Sequence, residues 1–182
     1  FSVVAIRNSN ARYDAEMFAK ANTQEEILAA LKKAPSAASA TDARFRLASI
    51  YLADKKYQAA REQFELLAKR ASDPFFVAKA SLSLGYLDEL EGKQENALKI
   101  FVGIADNVQT QNDLRAEAAY AAGRIYAAQK NFERARVYLS RFRPGAGAAG
   151  LSGTYSNMLL RQLPAMPVPA AASVPAPAPV KK

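Results

Sequence analysis

Residues 82–101 read LSLGYLDELEGKQENALKIF, and what this stretch is decides the fold. It spells a helix, a glycine turn at Gly92 and a second helix. A lone hairpin of this kind leaves one apolar face uncovered, so the neighbouring sequence decides between an isolated pair and a repeated one.

The neighbours repeat the spacing. Leu47-Ala48, Tyr51, Ala60, Phe64 and Leu67 precede it by 37 residues, and Ala122-Gly123, Tyr126, Ala135, Leu139 and Phe142 follow Leu84-Gly85, Ala97, Phe101 and Ile104 by 38. In each copy a small residue (Ala48, Gly85, Gly123) stands 12 positions before a second one (Ala60, Ala97, Ala135). A large apolar residue (Phe64, Phe101, Leu139) follows one helical turn later. Antiparallel helices approach closely only where side chains are small, so these nine positions predict the crossings and the fillers between them. Three stacked copies bury what one cannot.

Punctuation marks the same divisions. Ser72-Asp73-Pro74 predicts an N-cap followed by proline, and Gly92 ends the helix that starts there. Lys55-Lys56 and Lys130-Asn131 turn the first and third pairs. Thr23-Gln24-Glu25-Glu26 has capping-box spacing ahead of an Ile27, Leu28, Leu31 stripe that Pro35 closes. Tyr13, Met17, Phe18 and Ala21 form a similar stripe before it. Residues 8–34 therefore predict a degenerate first pair within an N-terminal segment and linker, 8–40. The repeats follow at 41–75, 76–113 and 114–143. A glycine-rich linker and a capping helix occupy 144–163, with Tyr155, Met158, Leu159 and Leu163 as the capping stripe. Residues 164–182 hold six prolines among Ala and Val. That density excludes a helix and predicts a disordered or polyproline tail, serving as a tether, a docking tail or a solubilising tail.

Composition excludes several chemistries. The 182 residues contain no Cys, His or Trp. Thiolate and imidazole ligands are therefore missing, and with them zinc or haem sites, the commonest general base and the Ser-His or Cys-His nucleophile pairs. The expectation is no enzyme, no cofactor and no metal. GAGAAG at 145–150 spells a dinucleotide fingerprint, but a helix and Pro144 precede it where a strand is required, so it reads as linker. Asp88, Glu89 and Glu91 read as a solvated helix end.

Net charge is +8, unevenly spread: residues 76–113 carry −3 and residues 114–143 carry +5. The basic residues Arg115, Arg124, Lys130, Arg134, Arg136, Arg141 and Arg143 face several directions on helices. They read as a solvated surface, with an acidic protein or anionic lipid as the functional alternative. No nucleic-acid motif accompanies them, and nucleic acid is not expected. Residues 1–6 (FSVVAI) are apolar and then give way to Arg7-Asn8-Ser9-Asn10. Six residues cannot span a bilayer, which needs about 20. Two readings of residues 1–7 stand: a packed helix start, or the remnant of an N-terminal membrane anchor.

The pattern resembles the tetratricopeptide repeat, which has a small residue at its eighth position, Ala at its twentieth and an aromatic at its twenty-fourth. Ala48, Gly85 and Gly123 match the first, Ala60, Ala97 and Ala135 the second, and Phe64, Phe101 and Leu139 the third. The early Trp is replaced by Arg44, Ser81 and Ala119, the late Pro is missing and the period is longer than usual. Asp88 stands where the neighbours have Tyr51 and Tyr126. The resemblance covers residues 41–143 and implies an all-α, right-handed solenoid of helix hairpins with a concave face lined by the first helix of each pair. Carried over residue by residue, that groove comprises Phe45 and Ser49, then Lys79, Leu82, Tyr86 and Glu89, then Glu117, Tyr120 and Arg124. Aromatics with interspersed charge suit an extended peptide or a partner helix. The Lys and Asn clamp by which some such arrays hold a C-terminal carboxylate is absent, its positions being Phe45, Leu82, Tyr120 and Ser49, Tyr86, Arg124.

Among repeat proteins, the polar helix after an apolar start and the TQEEILAALKKAP segment resemble the YfgM-type ancillary subunits of the bacterial Sec translocon. The Tol-Pal coordinator and outer-membrane assembly lipoproteins are similar too. The resemblance implies an adaptor on the periplasmic side of the inner membrane, anchored through residues before Phe1 and binding a protein or peptide; the oligomeric state is open, with a monomer the favoured expectation. The alternatives are a self-assembling structural protein, an envelope assembly factor or, for location, a soluble cytoplasmic protein.

Overall fold

The computed structural model describes residues 3–142 and 150–165. The glycine-rich stretch before Gly150, Arg143 and the proline-rich residues from 166 onward lie outside the described residues. Within them the protein is all-helical, with no strand. Its helices are α1 (Val3–Lys20), α2 (Gln24–Lys33), α3 (Ala40–Ala53), α4 (Tyr57–Arg70), α5 (Pro74–Leu90), α6 (Gln94–Asp106), α7 (Asn112–Ala128), α8 (Phe132–Leu139) and α9 (Gly150–Gln162). No helix among the described residues is long and apolar enough to cross a membrane.

Three of the reversals are built alike. Lys55, Gly92 and Lys130 adopt the left-handed conformation, with φ of 59°, 76° and 60°. In each, the next residue donates its N–H five positions back: Lys56 to Tyr51, Lys93 to Asp88 and Asn131 to Tyr126, at 2.8, 2.7 and 2.9 Å. The left-handed residue itself donates to Leu52, Glu89 or Ala127 at 3.0 Å. These paired bonds satisfy the last carbonyls of α3, α5 and α7 and fold the chain straight into the next helix. The starts of α2, α5 and α8 are capped by side chains. Thr23 and Glu26 form the full capping box. Asp73 accepts from the Phe75 N–H at 2.9 Å with Pro74 behind it.

Each helix packs on its neighbours in the chain, α5 also touches α7, and α9 lies on both α7 and α8. The core is accordingly segmented. Phe18, Ile27, Leu31 and Leu47 centre one cluster, Ala48, Ala60, Phe64 and Leu87 a second, and Phe101, Ile125 and Leu139 the third and largest. A Cβ on Gly85 would stand 2.7 Å from the Phe101 ring, and one on Gly123 would stand 2.5 Å from Leu139 Cγ. At both crossings the neighbouring side chain fills the space that glycine vacates.

Two stripes differ from the sequence reading. On α1 and α2, Tyr13 (65 % exposed) and Leu28 point outward, leaving Phe18, Ala21, Ile27, Ala30 and Leu31 to bury. On α9, Leu159, Leu160 and Leu163 pack inward behind buried Gly153 and Ser156, and Tyr155 and Met158 stay about half exposed. Small residues at 153 and 156 let α9 approach α7, so its buried face is rotated away from Tyr155 and Met158.

Candidate functional site: the face of α3, α5 and α7

The residues predicted to form a groove fall into three groups. On α3 the Phe45 ring meets Phe64 edge-on at 5.5 Å and Phe76 at 6.4 Å. The Lys79 ammonium of α5 lies 4.2 Å from the Phe45 centroid and 5.5 Å from that of Phe75, a cation–π arrangement that couples α3 to α5. Ser49 is exposed one turn on, its hydroxyl donating to the Phe45 carbonyl at 3.0 Å.

The second group joins α5 to α7. Arg124 grips Glu89 through both terminal nitrogens at 2.6 Å, a planar fork matched to the carboxylate. That bond holds the guanidinium above its ordinary pKa range despite partial burial. The Tyr86 hydroxyl donates to Glu117 at 3.1 Å, and its ring lies 5.0 Å from Phe101. Burial, reinforced by the Glu117 charge, pushes the Tyr86 phenol well above its usual value, so it stays a neutral donor. Tyr86 is therefore not the free outward side chain of a groove; it is half-buried and occupied.

In the third group one residue is buried and one partly covered. Leu82, expected on the groove, is 4 % exposed within the core formed with α6 and α7. It shares that buried cluster with the small side chains Ala118, Ala119, Ala121 and Ala122 of α7. Tyr120 sits against Tyr155 of α9, 5.9 Å between centroids. Of the predicted groove residues only Leu82 is buried; Phe45, Ser49, Lys79, Tyr86, Glu89, Glu117, Tyr120 and Arg124 keep exposed surface.

The packing residues Ala48, Ala60, Phe64, Gly85, Ala97, Phe101, Gly123, Ala135 and Leu139 are all buried.

The basic residues do not make one open patch. Arg141 pairs with Asp106 and stacks 4.2 Å over Tyr138. Arg134 donates to the Tyr126 hydroxyl at 3.3 Å. Arg115 donates to the Ala105 carbonyl at 3.3 Å and covers Phe142. Arg136 binds the Leu163 and Pro164 carbonyls at the end of α9. Lys130 is exposed at its turn.

Sequence reasoning missed a further cluster. Asp88 is buried rather than solvated. Arg61 of α4 donates to it at 2.8 Å and to Glu91 at 3.0 Å. The readable signal is Asp88 itself, an acid where the equivalent positions carry Tyr51 and Tyr126; its partner 27 residues earlier follows from no spacing rule. A cleft of about 860 Å³ also opens between α5 and α6. Ser81 and Gly103 line it where the equivalent positions hold Arg44 and Leu66, or Ala119 and Arg141. Among the described residues no group of three or more acidic side chains is placed to hold a metal ion.

This face carries an aromatic pair under an ammonium, a fixed carboxylate–guanidinium fork and a hydroxyl bonded to a carboxylate. No protein-family model, curated protein or solved structure matches the chain.

Proposed function

We propose that the chain is a tetratricopeptide-like solenoid acting as a non-enzymatic scaffold, with the face of α3, α5 and α7 as its binding groove. Its partner is an extended or helical protein segment. The carrying observation is that inter-helix bonds, Glu89 to Arg124 and Tyr86 to Glu117, fix this face before any partner arrives. A pre-set surface avoids the ordering cost that a mobile one meets on binding. The three matching reversals at Lys55, Gly92 and Lys130, spaced 37 and 38 residues apart, support the repeat reading. On the strength of the YfgM-type resemblance, the proposed setting is the periplasmic side of a bacterial inner membrane, alongside translocation or envelope-assembly machinery.

The test is a photo-crosslinking amino acid placed in living cells at Ser49, on the face, and at Glu62, exposed on α4. Discrete protein adducts at Ser49 that vanish with Lys79→Glu, and none at Glu62, are expected. Identical adducts at both positions would refute the groove.

A further inference from the structure

We infer that the outward side of α9, with the basic residues around it, is a contact site for an anionic lipid surface. Leu151, Tyr155 and Met158 recur at i, i+4 and i+7 and so share one side of the helix. They are 74 %, 49 % and 54 % exposed. The opposite side, Gly153, Ser156, Leu159 and Leu163, packs on α7 and α8; Tyr155 lies at the seam, its ring against Tyr120 of α7 and about half of it exposed. A helix apolar on two sides has an unmet demand for a second apolar medium. Among the thirteen residues of α9, Arg161 is the sole charge, three positions beyond Met158.

Charge identifies the medium. After Glu133 the remaining 49 residues contain seven Lys or Arg and no Asp or Glu. Arg136, held by the neutral carbonyls of Leu163 and Pro164, places an undiminished positive charge at the end of α9. Arg141 is balanced by Asp106 and adds nothing. A second copy of the chain would bring the same positive charge to the same face and be repelled. A bilayer with anionic head groups supplies both the apolar layer for Leu151 and Met158 and the countercharge for Arg136 and Arg161. Tyr155, apolar in its ring and polar at its hydroxyl, suits the boundary between the two. This site adjoins the face of α3, α5 and α7 where Tyr155 meets Tyr120, but does not depend on the function of that face.

The chain has no Trp, so Leu151→Trp gives a single reporter on this helix. With phosphatidylcholine vesicles containing phosphatidylglycerol, its emission shifts to shorter wavelength and the chain sediments with the lipid. With phosphatidylcholine alone it does neither. Leu151→Ser with Met158→Ser, both at exposed positions, lowers partitioning roughly tenfold or more. Arg161→Glu lowers it at least about fivefold. Circular dichroism confirms that the variants remain folded. Equal binding to both vesicle types, no binding to either, or a double serine variant that partitions like the parent would overturn the assignment. A chain that ignores vesicles but is retained by immobilised polyglutamate also overturns it, in favour of an acidic protein.

Discussion

Replacing Arg61 by Met removes the cation between α4 and α5 and leaves Asp88 facing it alone. The Asp88 side chain is 10 % exposed and that of Arg61 16 %, with 2.8 Å between them, so water cannot readily take over the bond. An uncompensated carboxylate in such a site costs about 3 kcal/mol. Asp88→Leu costs less, about 1–2 kcal/mol, because Arg61 keeps Glu91 at 3.0 Å, a partner about one-third exposed. The double variant replaces the pair with apolar groups of similar volume and should lie within about 1 kcal/mol of the parent. Denaturant unfolding followed by far-ultraviolet circular dichroism measures all four corners of this cycle. For a chain of this size, Arg61→Met should lower Tm by roughly 6–12 °C. Single costs below about 1 kcal/mol that simply add would refute the claim that this pair fastens α4 to α5.

Other substitutions test the turns, the crossings and the buried phenol. Lys130→Gly should raise stability by about 1 kcal/mol, because the left-handed conformation is strained for lysine and ordinary for glycine, while Gly92→Ala should cost a similar amount. Chemical denaturation that ranks them otherwise would contradict the shared turn. Gly123→Ala places a methyl against Leu139 Cγ and should lower stability by about 1 kcal/mol despite better helix propensity; Leu139→Val should lessen that loss. Tyr86 favours its neutral form in the folded chain, so its contribution is complete below its unfolded value of 10 and is lost as pH rises toward the higher folded value. Stability between pH 10 and 12 should therefore fall more steeply in the parent than in Tyr86→Phe. Tyr138, raised for the same reason of burial, keeps part of the slope in both.

The helices and their reversals were legible because they depend on local chemistry. Thr23 and Asp73 announce helix starts, and small residues 12 apart mark where two helices cross. The site was less legible because it depends on what comes to lie over each side chain. Spacing placed Leu82 beside Tyr86 on one helix face. It could not show that Leu82 joins the core shared by α6 and α7, or that α9 brings Tyr155 against Tyr120. On α9 the buried side takes in Leu159 and Leu163 of the expected stripe but not Met158, for a related reason: Gly153 and Ser156 contribute little hydrophobicity, yet they let the helix sit down. Asp88 was the clearest warning, an acid at an aromatic position, but only three-dimensional proximity connects it to Arg61.

The regular stacking of hairpins is the premise on which the groove rests, and one distance measurement addresses it. The chain lacks Cys, so cysteines placed in pairs at the exposed positions Gln58, Glu95 and Glu133, which are 37 and 38 residues apart, can carry spin labels alone. Stacked repeats predict similar distances for Gln58 to Glu95 and Glu95 to Glu133, with Gln58 to Glu133 about double. An outer distance no longer than the inner ones would mean that the helices close into a bundle, and would contradict the account.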